Sequence, residues 1–446
     1  MKKTFRFLGL VVLAGILYYG YETYPKLDLI SGFSSKSVAS AHFLDNRSLG
    51  VIEKGDNDIN LIDLAKNEIN EKEKFAEASV YGLKTRRAIY REGLGAVLVN
   101  EDYDASKPYD VPKRNFSINK TIPFPYGDGE AEKPTFTNVD YKRIDAALNQ
   151  AFEPNAEGKK TTRAVVVVYK DKIVGEKYAS GFNKDSRLLG WSMTKSITST
   201  LFGILQKQGK LNVTQPAPIK EWQTDERKNI TIHNLLQMNS GLEWDENYDK
   251  ISDVTKMLFQ ESNMTQSQIN KPLVGKPNAT WNYSSGTTNL LSGIIRKQFK
   301  THQEYLDFWY SALIDKIGMH SMLVEADLEG NYIGSSYAWA TARDWSKFGL
   351  LYLHKGNWNG EQLFEESWSK YVATPTPTSD KQYGAQFWLN AGGVLPDAPT
   401  NIYYADGFQG QRVFVMPSHE MVIVRLGTGH IDLNALVKEV LGSVKQ

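Results

Sequence analysis

The chain has 446 residues, with 52 Lys and Arg against 51 Asp and Glu and a formal net charge of +1. That balance offers no electrostatic footing for nucleic acid as a partner, and the absence of cysteine excludes disulfides, thiolate metal sites and lipid attachment through an N-terminal cysteine. At 41% hydrophobic and 23% charged, a chain of this length can bury one large core with additions.

Residues 1–25 read as a signal peptide or a membrane anchor. Lys2, Lys3 and Arg6 precede a run from Phe7 to Tyr21 that carries no charge, the basic-then-apolar order that the secretory machinery reads. No small-x-small site closes the run, and Tyr18, Tyr19 and Tyr21 resemble an interfacial aromatic belt. Against an anchor, the run is short beside the roughly 20 residues of a spanning helix. Both readings stay open, and both place the bulk of the protein in the periplasm or elsewhere outside the cytoplasm, with membrane contact through this segment alone.

Residues 36–137 read as an N-terminal extension packed on the main domain. Strand-like pieces (Ala78 to Tyr81, Ala96 to Val99) alternate with charged, helix-like sequence from Asn67 to Phe75, and a Pro-containing connector runs from Ala105 to Pro134. The main domain is expected over 138–446. Asp145 to Phe152 reads as a short amphipathic helix, and the β-branched run Ala164 to Tyr169 as a buried strand that turns at Asp171-Lys172 into Ile173 to Tyr178. From Asn212 to about Trp345 the sequence is helix-rich and broken by Gly and Pro. Arg412 to Val415 and Met421 to Leu426 flank Pro417 to Glu420 as a second hairpin, and Leu433 to Val444 closes with a helix. Strands at both ends with helices between them imply an α/β (α+β) fold: a central antiparallel sheet flanked by helices, with a mostly helical second subdomain and a cleft beside it.

The most informative motif is Ser192-Met193-Thr194-Lys195, which opens the apolar helical run through Ile197, Leu201, Phe202, Ile204 and Leu205. At spacing i and i+3 the two side chains share a helix face, so an unprotonated Lys195 can take the Ser192 proton. The helix N-terminus adds bare N–H groups and positive dipole where an oxyanion would form. Acyl transfer is the chemistry this pattern suits. The motif recurs at Ser117 to Lys120, in a Pro-rich stretch without helical period, and at Ser367 to Lys370, in a polar segment expected to be exposed. Only the match at Ser192 follows a strand-like region and opens an apolar helix.

Further segments occur in order: Ile230 to Leu242; Gly275-Lys276-Pro277 running to Trp281-Asn282-Tyr283-Ser284-Ser285-Gly286; and Ala338 to Asp344. With Ser192-x-x-Lys195 they resemble the serine β-lactamase-like superfamily, in particular its class C branch and, within that, the 6-aminohexanoate-dimer hydrolases and related esterases. The resemblance covers roughly Asn138 to Gln446, and Thr85 to Gly95 is similar to an N-terminal extension carried by some of these hydrolases. It implies a β-lactamase/transpeptidase-like fold, Ser192 as the acylated nucleophile, Lys195 as its partner, and Tyr283 as the phenol that shuttles a proton to the leaving group. Lysine and tyrosine both titrate near 10 in water, so burial or mutual charge must shift each for work near neutrality.

The family's third element aligns with Ala405-Asp406-Gly407-Phe408. Gly407 would let the strand approach the substrate, and the Phe408 N–H would join that of Ser192 in the oxyanion hole. Two departures bear on substrate. Ala405 and Asp406 replace the cationic and hydroxylic residues that grip the carboxylate of β-lactams, and an acid there repels it. Ser285 replaces the Asn of Tyr-x-Asn, removing an amide that binds the acyl side chain. Both argue against efficient β-lactamase or D,D-peptidase action and leave simpler amides and esters open. Tyr248 matches a tyrosine of the linear-amide hydrolases, or is a surface aromatic in a polar loop. His233 reads as a helix-start or packing residue, and Trp191 and Trp388 as packing or cleft-lining rings.

No Gly-x-Ser-x-Gly elbow, His-Glu-x-x-His helix or Walker loop occurs, so neither metal nor cofactor is expected. The sequence thus predicts an exported serine hydrolase of small amides or esters. The alternatives are a β-lactamase or D,D-peptidase, and a non-hydrolytic sensor that keeps the fold.

Overall fold

The computed structural model describes residues 2–100, 103–132 and 134–445, and for residues 2–19, 21 and 22 the backbone alone. The chain divides into two compact units. One comprises Met1–Arg91, Ala96–Lys107 and Glu246–Ser262; the other comprises Glu92–Gly95, Pro108–Asp245 and Asn263–Gln446.

In the first unit the helix Lys2–Asp45 packs against an antiparallel sheet whose strands run in the order Ala65–Asn70, Phe75–Val80, Leu83–Arg91, Gly95–Val99. Small buried residues (Ser31, Ser34, Ser35, Ala39, Ala41) let the helix lie close, and Ser34 donates to Asn67 Oδ1 across 2.7 Å. The expected helical character from Asn67 to Phe75 is corrected. Residues 65–68 alternate buried and exposed, the period of a strand, and the chain turns back before Phe75. Charge made the segment look helical, yet the period carries the structure. Among the described residues no helix is long and apolar enough to cross a membrane. The uncharged run from Phe7 to Tyr21 lies, Gly20 apart, among residues whose side chains are outside that description.

The second unit is built on a six-stranded antiparallel sheet in the order Trp388–Leu389, Tyr403–Gly407, Gln411–Met416, Met421–Gly427, Thr162–Tyr169, Lys172–Tyr178. Strands from the two ends of the unit meet inside it, where Val424 pairs with Val166. Every residue of Thr162–Tyr169 is buried, because both faces are covered. Val166, Val168, Val413, Val415, Val422 and Val424 point into one core. Val165, Val167, Phe414, Met416 and Ile423 point into the other, with the helices Tyr141–Ala151 and Leu433–Leu441. Helix Ala342–Leu353 packs on the first face. Helices Ile232–Leu236, Ser285–Arg296 and His302–Trp309 form the mostly helical part. The architecture is thus the predicted α/β class, a central antiparallel sheet flanked by helices.

The helix Thr194–Lys207 joins these parts and is buried all round from Thr194 to Leu205. Its polar side chains are therefore tied to backbone carbonyls: Ser196 to Gln386 at 2.7 Å, Thr198 to Gly334 at 2.9 Å and Ser199 to Ala385 at 2.9 Å. Three such bonds leave the helix little freedom to rotate or slide. Whatever stands at its N-terminus is held by the whole unit.

Candidate active site

Ser192 sits in the 3-10 turn Trp191–Met193, which runs directly into that buried helix. Trp191 holds φ +47°, a left-handed conformation that costs a non-glycine residue on the order of 1–2 kcal/mol. The turn is secured by bonds around it. Gly190 N donates to Ala338 O at 2.8 Å, Thr194 Oγ1 donates to Trp191 O at 2.7 Å and Ala338 N donates to Thr194 Oγ1 at 3.0 Å. The Trp191 ring packs against Tyr337 and edge-on against Phe408, with centroids 5.7 and 5.6 Å away.

Lys195 lies one turn on with only 1% of its surface exposed. Its Nζ donates to Ser192 Oγ at 3.0 Å, to Ser285 Oγ at 2.9 Å and to the Ser335 carbonyl at 3.1 Å. Three neutral oxygens thus lie within hydrogen-bonding reach of the amine. The same nitrogen stands 4.7 Å from the centroid of the Tyr283 ring, within cation–π range. Tyr283 and Ser285 are placed by one device: Ser284 caps the helix Ser285–Arg296 through Thr287 N at 2.9 Å, so the residues on either side of the cap are fixed with it. The Tyr283 ring is backed by Trp388 and Tyr383, at 5.5 and 5.7 Å.

The strand Tyr403–Gly407 closes the far side. A Cβ on Gly407 would stand 2.1 Å from the Gly190 carbonyl oxygen, so glycine is what lets this strand meet the turn before Ser192. Phe408 follows at once in a tight turn. Asp406 pairs with Arg412, its partner in the hairpin register, at 2.8 Å. Burial pushes the Asp406 carboxyl up to about 6, against the pull of the Arg412 and Lys195 charges.

The fold therefore brings Ser192, Lys195, Tyr283 and Ser285 together, and docks the Gly407 strand on the turn that carries Ser192. Tyr248 belongs to the first unit, on the segment Glu246–Ser262. It is 37% exposed, with its hydroxyl 3.3 Å from Glu246 Oε1. His233 is the second residue of Ile232–Leu236, its Nδ1 2.9 Å from the Tyr371 hydroxyl, and burial lowers its pKa. Ser117 to Lys120 is irregular and exposed. Ser367 to Lys370 differs from its expected character: it lies in the helix Glu366–Val372, anchored by buried Trp368, although Ser367 and Lys370 themselves face outward.

Three features escaped the sequence reading. Ser285 is fully buried and accepts from Lys195, a contact between distant segments that no local pattern encodes. Ser335 acts through its carbonyl, which leaves no trace in residue type. The third is the Arg412 pairing, for which a signal existed: a hairpin turning at 408–410 places residue 412 opposite 406.

A model of the beta-lactamase family matches residues 148–434. The 6-aminohexanoate-dimer hydrolase of Paenarthrobacter ureafaciens is 21% identical over 324 residues, which are 64% of this chain and 78% of that protein. Among solved structures, a candidate 6-aminohexanoate-dimer hydrolase from Bacillus anthracis superposes with a TM-score of 0.57 at 19% identity, covering 74% of this chain and 89% of its own. A family VIII carboxylesterase superposes with a TM-score of 0.56 at 11% identity, covering 71% of this chain and 100% of its own. At such identities the superpositions speak for a shared fold.

Proposed function

The chain belongs to the beta-lactamase family, and from that premise we propose that it is a serine hydrolase cleaving small linear amides or esters through an acyl-enzyme on Ser192. The observation that carries the reading is the buried Lys195 amine, 3.0 Å from the Ser192 hydroxyl and 4.7 Å from the centre of the Tyr283 ring. In the reaction the Ser192 oxygen attacks the substrate carbonyl while its proton passes to a neutral Lys195. The carbonyl oxygen becomes an oxyanion held by the N–H groups of Ser192 and Phe408. Tyr283 delivers a proton to the departing amine or alcohol, and Lys195 re-protonates the phenolate. Water then attacks the acyl-enzyme by the same path in reverse.

Substrate class follows from what stands beside the nucleophile. The carboxylate of Asp406, locked to Arg412, supplies no grip for a substrate anion and repels one, whereas a neutral acyl chain against Trp191 and Trp388 meets no charge penalty. The names of the relatives, dimer hydrolase and carboxylesterase, agree with that choice. We further propose export, on the basic start and uncharged run of residues 1–25; cell fractionation should place the protein outside the cytoplasmic fraction.

A panel of p-nitrophenyl esters and linear amides tests the activity, with a fluorophosphonate probe as reporter of the nucleophile. Ser192→Ala is expected to abolish both turnover and labelling, a loss of at least about 10⁴-fold. Full turnover by the variant, or a wild-type serine that never labels, would sink the reading.

A further inference from the structure

Arg425 lies within the central strand Met421–Gly427 and has no exposed surface. Among the described residues its guanidinium donates only to neutral oxygens. Nη1 donates to the carbonyls of Gln409 and Gly410 at 2.9 and 3.1 Å, and Nη2 to the hydroxyls of Thr161 and Thr162 at 3.2 and 3.1 Å. Burial, with the charges of Arg412 and Arg163, pushes its pKa down to about 9. A cation desolvated against neutral partners is a costly way to fill a β-sheet. A sheet interior needs no charge there, so what the charge holds is the informative part.

What it holds is the turn that follows Phe408. Gln409 and Gly410 adopt φ +61° and +78°, two successive left-handed residues whose carbonyls both accept from Arg425. Without that clamp the Gln409 conformation is disfavoured for a residue with a Cβ. The fit is built on both sides. A Cβ on Gly410 would come 2.9 Å from Nη1, and one on Gly427 would come 2.8 Å from Nη2. Gln411 adds a second clamp, donating from Nε2 to the Phe408 carbonyl at 3.1 Å and accepting from Gly427 N at 2.9 Å. The peptide plane after Phe408 is thereby tied to the sheet interior, and the plane before it, which carries the Phe408 N–H, meets Arg412, whose Nη1 donates to the Gly407 carbonyl at 3.3 Å.

We infer that Arg425 is a positioning residue for hydrolysis: it fixes the Phe408–Gly410 turn so that the Phe408 N–H points at the developing oxyanion. The inference rests on the reading of Phe408 as an oxyanion donor. A misdirected donor weakens transition-state binding and leaves ground-state binding nearly alone, which separates this role from mere packing.

Arg425→Lys and Arg425→Ala test it, assayed on a short p-nitrophenyl ester and with an alkylboronic acid that forms a tetrahedral adduct on the serine. We expect kcat to fall at least about fivefold with KM held within about threefold, and boronate affinity to fall in step with kcat, since loss of a whole oxyanion donor costs about 10²–10³. Millimolar guanidinium should restore part of the rate to Arg425→Ala and none to Arg425→Lys. If Arg425→Ala does not fold, Arg425→Lys decides alone. The inference is overturned by a folded variant whose kcat falls less than fivefold or whose boronate affinity is unchanged. It is also overturned by a rate loss that fluorophosphonate titration traces to fewer sites of full activity. Ser192→Ala with undiminished turnover would instead sink the hydrolase reading, while an inactive Ser192→Ala beside fully active Arg425 variants sinks this inference alone.

Discussion

Gly407→Ala isolates the contact on which the active-site geometry turns. The added Cβ would lie 2.1 Å from the Gly190 carbonyl oxygen and 3.0 Å from the Gln411 Cβ. Relief to even a tight 3.0 Å contact demands about 1 Å of separation between the strand Tyr403–Gly407 and the turn that carries Ser192. Neither side can absorb it cheaply. The strand is paired with Gln411–Met416 in register, and the turn is bonded to Ala338. A misplacement of about 1 Å costs on the order of 10²-fold in rate, or about 2.7 kcal/mol of transition-state stabilisation, while overpacking costs about 1–3 kcal/mol in stability. The variant should therefore fold, melt a few degrees lower, and hydrolyse a p-nitrophenyl ester with kcat down about 10²-fold. Its Ser192 should still react with fluorophosphonate, more slowly. A folded Gly407→Ala enzyme with kcat within threefold of wild type would refute the idea that strand and turn must touch for catalysis.

Tyr283→Phe keeps the ring that packs on Trp388 and Tyr383 and removes only the hydroxyl. It should leave the melting temperature nearly unchanged and lower kcat by about 10²–10⁴-fold, the range of a lost proton shuttle; retention of rate would remove Tyr283 from the mechanism. Asp406→Asn addresses the buried acid. Because the folded-state pKa is raised from 3.8 to about 6, the folded chain holds the proton more tightly than the unfolded one. Ionised Asp406 therefore costs stability fully above pH about 6 and nothing below about 4. The difference in unfolding free energy between Asp406→Asn and wild type should then shift in favour of the variant by about 2–3 kcal/mol between pH 4 and 7. Urea unfolding at the two pH values reads this directly, and a constant difference would contradict it. The same variant removes a negative charge felt by Lys195, so the acidic limb of its pH–rate profile should move to lower pH. Its preference for neutral over anionic esters should fall by about tenfold or more.

The fold was legible where pattern and burial coincide. The β-branched run at 164–169 and the hairpin around Pro417 to Glu420 declare themselves because a sheet covered on both faces needs continuous apolar strands. The stretch from Asn67 to Phe75 misled for the converse reason. The strand that enters it, Ala65–Asn70, buries only the small or polar Ala65 and Asn67, an alternation that the surrounding charge disguised as helix. Nothing in the sequence announces that Glu246–Ser262 belongs with the N-terminal unit, since that grouping is set by contacts between residues far apart along the chain.

The site divides along the same line. Ser192 and Lys195 are neighbours on a helix, so their meeting is a local fact that spacing alone dictates. What makes the pair a chemical unit is not local. Ser285 from the helix after Tyr283 and the Ser335 carbonyl also bond the amine, and a carbonyl has no letter in a sequence. The departure at Asp406 reads differently once Arg412 is opposite it. The acid disfavours a substrate anion, but it is also paired with Arg412, largely buried and near enough to Lys195 for their charges to interact. Replacing it therefore removes a negative charge felt by both Arg412 and Lys195. For this reason Asp406→Asn is expected to move the pH profile and the substrate preference together, whereas a contact acting on substrate alone would move the second without the first.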